Sequence, residues 1–210
     1  MDIKEAYNVW SRKYDSNDNK TRDLDKKVTQ RVLSKYNFNK VLEMGCGTGK
    51  NTLWFSKNSK KVHAVDFSTK MLQKAKEKIK EDNVKFTEAD ITKNWNIPTN
   101  SIDLVSFNLI LEHIDNLDFV FNQTYNVLNE KGLLFISELH PIKQYLGSKA
   151  RFETQNGVQE LTVFTHHISD YILSAEKNGF QLLVLNEWFD EENTINVPRL
   201  ISFVFQKTLT

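Results

Sequence analysis

Val41-Leu42-Glu43-Met44-Gly45-Cys46-Gly47-Thr48-Gly49 decides how this chain folds. An apolar run passes straight into three glycines at alternate positions. That pattern is a strand entering a sharp turn, because glycine adopts backbone angles that other residues avoid and puts no Cβ in the way of a ligand. A second apolar run, Val62-His63-Ala64-Val65, ends in an acid, Asp66. The acid falls about 20 residues after the first glycine, where a carboxylate at the end of a second strand can take both hydroxyls of a ribose. The spacing G-x-G-x-G differs from the dinucleotide pattern G-x-G-x-x-G. A pyrophosphate resting on the next helix N-terminus is therefore less well served.

Working outward, strands are expected at 41–44, 62–65, 84–88, 104–107, 133–136, 181–185 and 200–205. Helices are expected between them. Residues 51–58 form a short one after the glycines. Ser68 is a good N-cap for the next, which turns Met71, Leu72, Ala75 and Ile79 inward. The helix over 117–128 is expected to stop at Lys131-Gly132, with Gly132 in the left-handed position. Ser169 is expected to cap a further helix, which Asn178-Gly179 ends. Alternating strand and helix predicts a parallel sheet with helices on both faces.

Two segments lie outside that alternation. Residues 1–37 read as two helices, with Ile3, Tyr7, Trp10 and Tyr14 on one face and Leu24, Val28 and Val32 on another, and a polar break at 15–20. Residues 141–168 read as an insertion. Its runs 151–155 and 158–163 flank Asn156-Gly157, a strong hairpin signal. The expected organisation is a single domain over 1–210, with 1–37 as a helical lid and 141–168 on the substrate side.

Composition excludes several classes. Lys and Arg number 28 against 27 Asp and Glu, a net charge of +1, which gives no electrostatic footprint for nucleic acid. No apolar run approaches the roughly 20 residues of a membrane span. The polar start Met1-Asp2-Ile3-Lys4-Glu5 does not read as a secretory signal. The lone cysteine, Cys46, cannot form an internal disulfide, so a cytoplasmic setting is expected.

The motifs together resemble class I S-adenosylmethionine (SAM)-dependent methyltransferases. The run 43–49 is similar to the first motif of that family. Val65-Asp66-Phe67-Ser68 with Met71-Leu72 resembles the second, Glu88-Ala89-Asp90-Ile91 the third, and Phe107-Asn108-Leu109-Ile110-Leu111-Glu112-His113-Ile114 the fourth. Leu128-Asn129-Glu130-Lys131-Gly132-Leu133-Leu134 resembles the segment entering the fifth strand. The matches run in order over roughly residues 40–140, and the broad group that includes quinone-biosynthesis enzymes is the most similar. The resemblance implies a Rossmann-like open sheet, mostly parallel with an antiparallel last strand.

It also implies roles. Glu43 would lie near the amino end of the cofactor's methionine moiety. Gly45 and Gly47 would shape the floor, with Cys46 and Gly49 in the same loop. Asp66 would hold the ribose. Phe67 and Met71 would pack on the adenine, while Asp90 and Ile91 read its edge. The backbone of Asn108 and Leu109 would face the sulfonium, and Tyr14 would close over the cofactor. The product is S-adenosylhomocysteine (SAH).

Candidate bases are His113, which follows the fourth motif, His140, which Pro141 holds extended at the rim of the sheet, and His166 of the pair His166-His167. Tyr7, Trp10, Tyr14, Tyr145, Phe152 and Phe164 offer an aromatic lid. No zinc-type spacing is visible, so no metal is expected. The expected partner is a small-molecule acceptor, and the protein a monomer or homodimer. Rival readings are a macromolecule methyltransferase, a non-catalytic SAM-binding module and, against the glycine spacing, a Rossmann oxidoreductase. An Asn/Asp-Pro-Pro-aromatic motif, which marks some N-methylating enzymes, is replaced here by Asn108-Leu109-Ile110-Leu111.

Overall fold

A computed structural model describes residues 3–11, 14–15, 18–148, 151–154, 157–190 and 197–209. Helices α1 (Ile3–Trp10) and α2 (Lys20–Leu33) precede β1 (Lys40–Met44), α3 (Thr52–Asn58), β2 (Lys61–Asp66), α4 (Thr69–Lys78) and β3 (Val84–Glu88). Then come β4 (Ile102–Asn108), one 3-10 turn at Leu111–His113, α5 (Leu117–Val127), β5 (Leu128–Leu139) and α6 (Pro141–Tyr145). A small hairpin, β6 (Arg151–Thr154) and β7 (Gly157–Glu160), leads to α7 (Ile168–Lys177), β8 (Phe180–Trp188) and β9 (Leu200–Lys207).

Seven strands form one sheet in the order β3-β2-β1-β4-β5-β9-β8. β1 to β5 run parallel, and β9 enters antiparallel between β5 and β8. This is the Rossmann-like open sheet, mostly parallel with an antiparallel last strand. Residues alternate between its faces, as the strand pleat demands. Leu134 and Ile136 join α5 and α7 on one side through Phe121, Val120 and Tyr171. Leu133 and Phe135 join α2, α3 and α4 on the other through Val28, Val32, Phe55 and Leu72.

The helices begin where short polar side chains cap them. Asn19 accepts from the Arg22 N–H, Ser68 from Met71, and Asn116 from Phe119. Three local expectations are corrected or limited. Helix α5 ends at Val127, and Leu128 turns straight into β5. The left-handed residue there is Lys131 (φ +60°), not Gly132. Gly132 serves close packing instead, since a Cβ on it would lie 2.8 Å from the Asn129 carbonyl oxygen. Helix α7 is capped at His167, not Ser169, because the Asp170 carboxylate reaches back to accept from the His167 N–H at 2.7 Å. The β6–β7 hairpin is present, with Thr154 paired to Gly157, while Asn156 and the side chains of Trp10 and Phe152 lie outside the described residues. Among the described residues, no helix is long and apolar enough to cross a membrane.

Candidate functional site

The carboxyl ends of β1, β2, β3 and β4 meet α1 around a cavity of about 460 Å3. That lies within the roughly 300–1,000 Å3 of small-molecule sites, and it opens at the edge where α/β sheets bind ligands. Its floor is the glycine turn. Gly45, Gly47 and Gly49 all have positive φ (+73°, +54° and +84°). The turn is pinned to β2, with the Gly45 and Cys46 N–H groups donating to the Val65 carbonyl at 2.8 and 3.0 Å. Gly45 and Gly49 are also packing glycines, since a Cβ would lie 2.1 Å from Ile110 Cδ1 and 2.5 Å from Ile79 Cδ1 respectively. Gly47 is different: it lines the cavity, and a Cβ there would meet nothing within 4 Å.

Asp66 ends β2 with its carboxylate held by two backbone donors. The Gly47 N–H reaches Oδ2 and the Ser68 N–H reaches Oδ1, both at 2.8 Å. Each oxygen keeps a lone pair for a further donor. Burial pushes this carboxyl up to about 6. Glu43, within β1, is buried and accepts from the Thr52 hydroxyl at 2.5 Å. Burial pushes it up to about 8. It stands behind the cavity lining, as do Cys46 and Gly49. Burial also raises the Cys46 thiol well above its ordinary value, so it is no thiolate.

The remaining residues implicated by sequence surround the same space. Tyr14, Phe67, Met71, Asp90, Ile91, Asn108 and Leu109 all line it. Met71 does so while almost wholly buried in α4. Asp90 Oδ1 accepts from the Thr92 N–H and hydroxyl at 2.9 and 2.6 Å, which fixes the turn after β3. Leu109 is left-handed (φ +54°), an uncommon state for a bulky residue. β5 holds it there. Its N–H donates to the Ser137 carbonyl at 2.9 Å, and the next two N–H groups, of Ile110 and Leu111, converge on Glu138 Oε1 at 2.9 and 2.8 Å.

The three candidate histidines part company. His113 lines the cavity at the end of the 3-10 turn. Its Nδ1 lies 3.3 Å from the Thr162 carbonyl oxygen, which marks Nδ1–H as the donor. Its Nε2 then accepts from the Tyr7 hydroxyl at 2.8 Å. Burial raises the Tyr7 phenol well above its ordinary value. His140 is buried outside the cavity lining. Its Nδ1 accepts from the Ile142 N–H at 3.2 Å, capping α6, and its Nε2 lies 2.9 Å from Glu187 Oε1 on β8. His166 Nε2 donates to the Ile114 carbonyl at 2.7 Å, and its ring meets Tyr171 edge-on, also outside the lining.

Helix α1 supplies what the motifs did not. Lys4 and Tyr7 line the cavity. Lys4 Nζ pairs with Glu88 at 2.7 Å, and Asn8 Oδ1 accepts from the Ser68 hydroxyl at 2.7 Å. Tyr14 sits beneath the Arg22 guanidinium, 4.1 Å from its ring centre, and its carbonyl accepts from Arg22 Nη1. Burial pushes the Tyr14 phenol up to about 12.

A glycine-turn cavity at the carboxyl edge of an open α/β sheet is where such folds hold nucleotide cofactors. The family whose members carry the "Methyltransferase domain" matches residues 42–136. An uncharacterized methyltransferase of Emericella nidulans is 26% identical, over 87% of this chain and 77% of its own length. A demethylmenaquinone methyltransferase of Leptospira interrogans is 29% identical over 67% of this chain, which spans only 61% of that protein. The crystal structure of an S-adenosylmethionine-dependent methyltransferase from Mesorhizobium loti shares the fold, with a TM-score of 0.71 at 17% identity over 86% of this chain and 96% of that one. Residues 42–136 are thus similar to a methyltransferase domain, and the chain has the fold of SAM-dependent methyltransferases. The residues present fit that cofactor: an open cradle at Gly47, a buried carboxylate with spare acceptor capacity at Asp66, and an apolar slot between Phe67, Met71 and Ile91.

Proposed function

We propose that this protein methylates a small protic molecule, with Tyr7 and His113 taking the proton that the acceptor loses. The carrying observation is the Tyr7–His113 hydrogen bond on the wall of the same cavity as the glycine turn and Asp66. When bound, SAM supplies an electrophilic methyl group on a sulfonium. The chain's residues bind, orient and exclude water. Asp66 accepts from the ribose hydroxyls, and Phe67 and Met71 flank the adenine. Asp90 and the Ile91 backbone read its edge. Glu43 and the loop Gly45, Cys46, Gly47 and Gly49 serve the methionine end, with the Asn108 and Leu109 backbone opposite and Tyr14 closing the top. Residues 1–37 are the lid, and 141–168 face the substrate.

The Tyr7 oxygen accepts the acceptor's proton as its own proton passes to His113 Nε2, so His113 is the base and Tyr7 the relay. His140 and His166, already bonded to Glu187 and Ile114, support the rim. A cover of α1 tied down by Lys4–Glu88 and Asn8–Ser68 favours a small acceptor over a polymer. A buried Cys46 suits a reducing cytoplasm.

SAM at about 100 times its Kd should add roughly 2.7 kcal/mol of stability, read as a raised Tm. NADH should add none. SAH release should then be screened against amines, phenols, quinols and thiols. His113→Gln should lower kcat on the acceptor found while leaving SAH affinity unchanged. A Tm shift with NADH and none with SAM defeats the reading.

A further inference from the structure

We propose that Asp25 is a positioning residue that ties the β4 wall of the cofactor cleft to the segment after the glycine turn and biases the cleft towards cationic SAM over neutral SAH. The proposal rests on the reading of this cavity as the SAM site.

Helix α2 turns Val28, Val32 and Leu33 into the core, yet places Asp25 and Thr29, one turn apart, on the same buried face. Asn108 Nδ2 donates to Asp25 Oδ1 and to Thr29 Oγ1, both at 2.8 Å, and its Oδ1 accepts from the Ser106 hydroxyl at 2.6 Å. These bonds fix the amide that ends β4 at the cavity wall. Asp25 Oδ2 accepts from Asn51 Nδ2 at 3.0 Å. Asn51 follows the glycine turn and heads α3. One carboxylate therefore ties the cavity wall at the end of β4 to the residue that follows the glycine turn of the neighbouring strand β1.

That bridge does not need a charge. Asn51 Oδ1 is buried and has no hydrogen-bond partner among the described residues. If an asparagine replaced Asp25, it would accept from Asn108 as before, and Asn51 could flip to present that idle oxygen to its amide. A buried carboxylate is costlier than an amide, and among the described residues no cation makes a direct bond to it. Lys50 Nζ is 2.6 Å from Asp23, and the Arg22 guanidinium lies over Tyr14. Burial holds the Asp25 carboxyl above its ordinary value, although the Asn108, Ser137 and Asn51 side chains draw it part of the way back. Lys50 acts in the same downward direction, while Glu43, Glu138 and Tyr14 are acidic neighbours that feel Asp25 in turn. When ionised, the Asp25 carboxylate stands one hydrogen bond behind the wall, where it attracts a sulfonium and is indifferent to the thioether left after transfer. It favours loading of the methyl donor and release of the spent product.

The test is calorimetric titration of the full chain with SAM and with SAH. Asp25→Asn should hold or raise the Tm and hold SAH affinity within about twofold, while weakening SAM about tenfold. Asp25→Thr, a smaller neutral replacement, should change the SAM-to-SAH ratio in the same direction if Asn packs badly. Asp25→Leu, which removes the bridge, should weaken both ligands and lower Tm. Equal loss of SAM and SAH in Asp25→Asn and Asp25→Thr, or no loss of either, overturns the proposal. A wild-type protein that binds neither ligand overturns the cofactor reading itself, and this proposal with it.

Discussion

Asp66→Ala is expected to weaken SAM binding by about 10²–10⁴-fold. The carboxylate already holds two backbone N–H groups at 2.8 Å, so its position is fixed before any ligand arrives. Two further bonds from a ribose diol to a charged acceptor are worth about 1.5–3 kcal/mol each, which gives that range. The fold should survive. Burial holds the carboxyl at about 6, above its ordinary 3.8, so the native state binds the extra proton in between. Its contribution to stability is full below about 3.8 and is lost as pH rises through about 6. Alanine removes that cost at neutral pH and offsets part of the loss of two backbone bonds. Binding has the opposite sign. Only the ionised carboxylate accepts from both hydroxyls, so wild-type SAM affinity should fall as pH drops below about 6. Titrations between pH 5 and 8 check both parts. Unchanged affinity in Asp66→Ala would remove this residue from the ribose.

The sheet was legible because its signals are local. The glycine turn, the acid that ends β2 and the alternation of apolar runs each lie within a few residues of what they specify. Pro141 likewise announced the extended backbone of His140 (φ −62°, ψ 132°). The destination of the His140 ring was not announced, because its partner Glu187 arrives from β8, 47 residues later. Tyr7 and His113 are 106 residues apart, Lys4 and Glu88 84, Asp25 and Asn108 83. Such pairs exist only once strand order is known, and no spacing rule reaches across them. One trace was present: Asp25 and Thr29 interrupt the apolar stripe of Val28 and Val32. A polar pair on a core-facing stripe must be satisfied by something, and here it is Asn108. The Lys131–Gly132 stop failed for a different reason. Glycine signals either a backbone angle or a close approach, and at Gly132 the approach of the Asn129 carbonyl decides.

The same distinction separates two glycines in one turn, and gives the second large effect. Gly47→Asn should leave the fold intact and weaken SAM binding by about 10²-fold, while Gly45→Ala should damage both. At Gly47, φ is +54°, a left-handed state that asparagine tolerates better than other residues, and a Cβ meets no atom within 4 Å. The new Cβ therefore meets no protein atom, asparagine bears the left-handed backbone at small cost, and the side chain occupies the space a ligand needs. Forcing atoms into filled space costs up to about 3 kcal/mol, which is about 10²-fold in affinity. At Gly45, φ is +73° and a Cβ would lie 2.1 Å from Ile110 Cδ1. Rotating the Ile110 Cδ1 aside leaves its Cγ1 and Cβ at 3.1 and 3.2 Å, and the backbone cannot retreat because the Ile110 and Leu111 N–H groups are fixed on Glu138. Alanine there should lower stability by about 1–3 kcal/mol and displace the cavity wall as well. Thermal melts with and without SAH resolve the two patterns. Wild-type SAM affinity in a folded Gly47→Asn protein would mean that the ligand does not approach this turn.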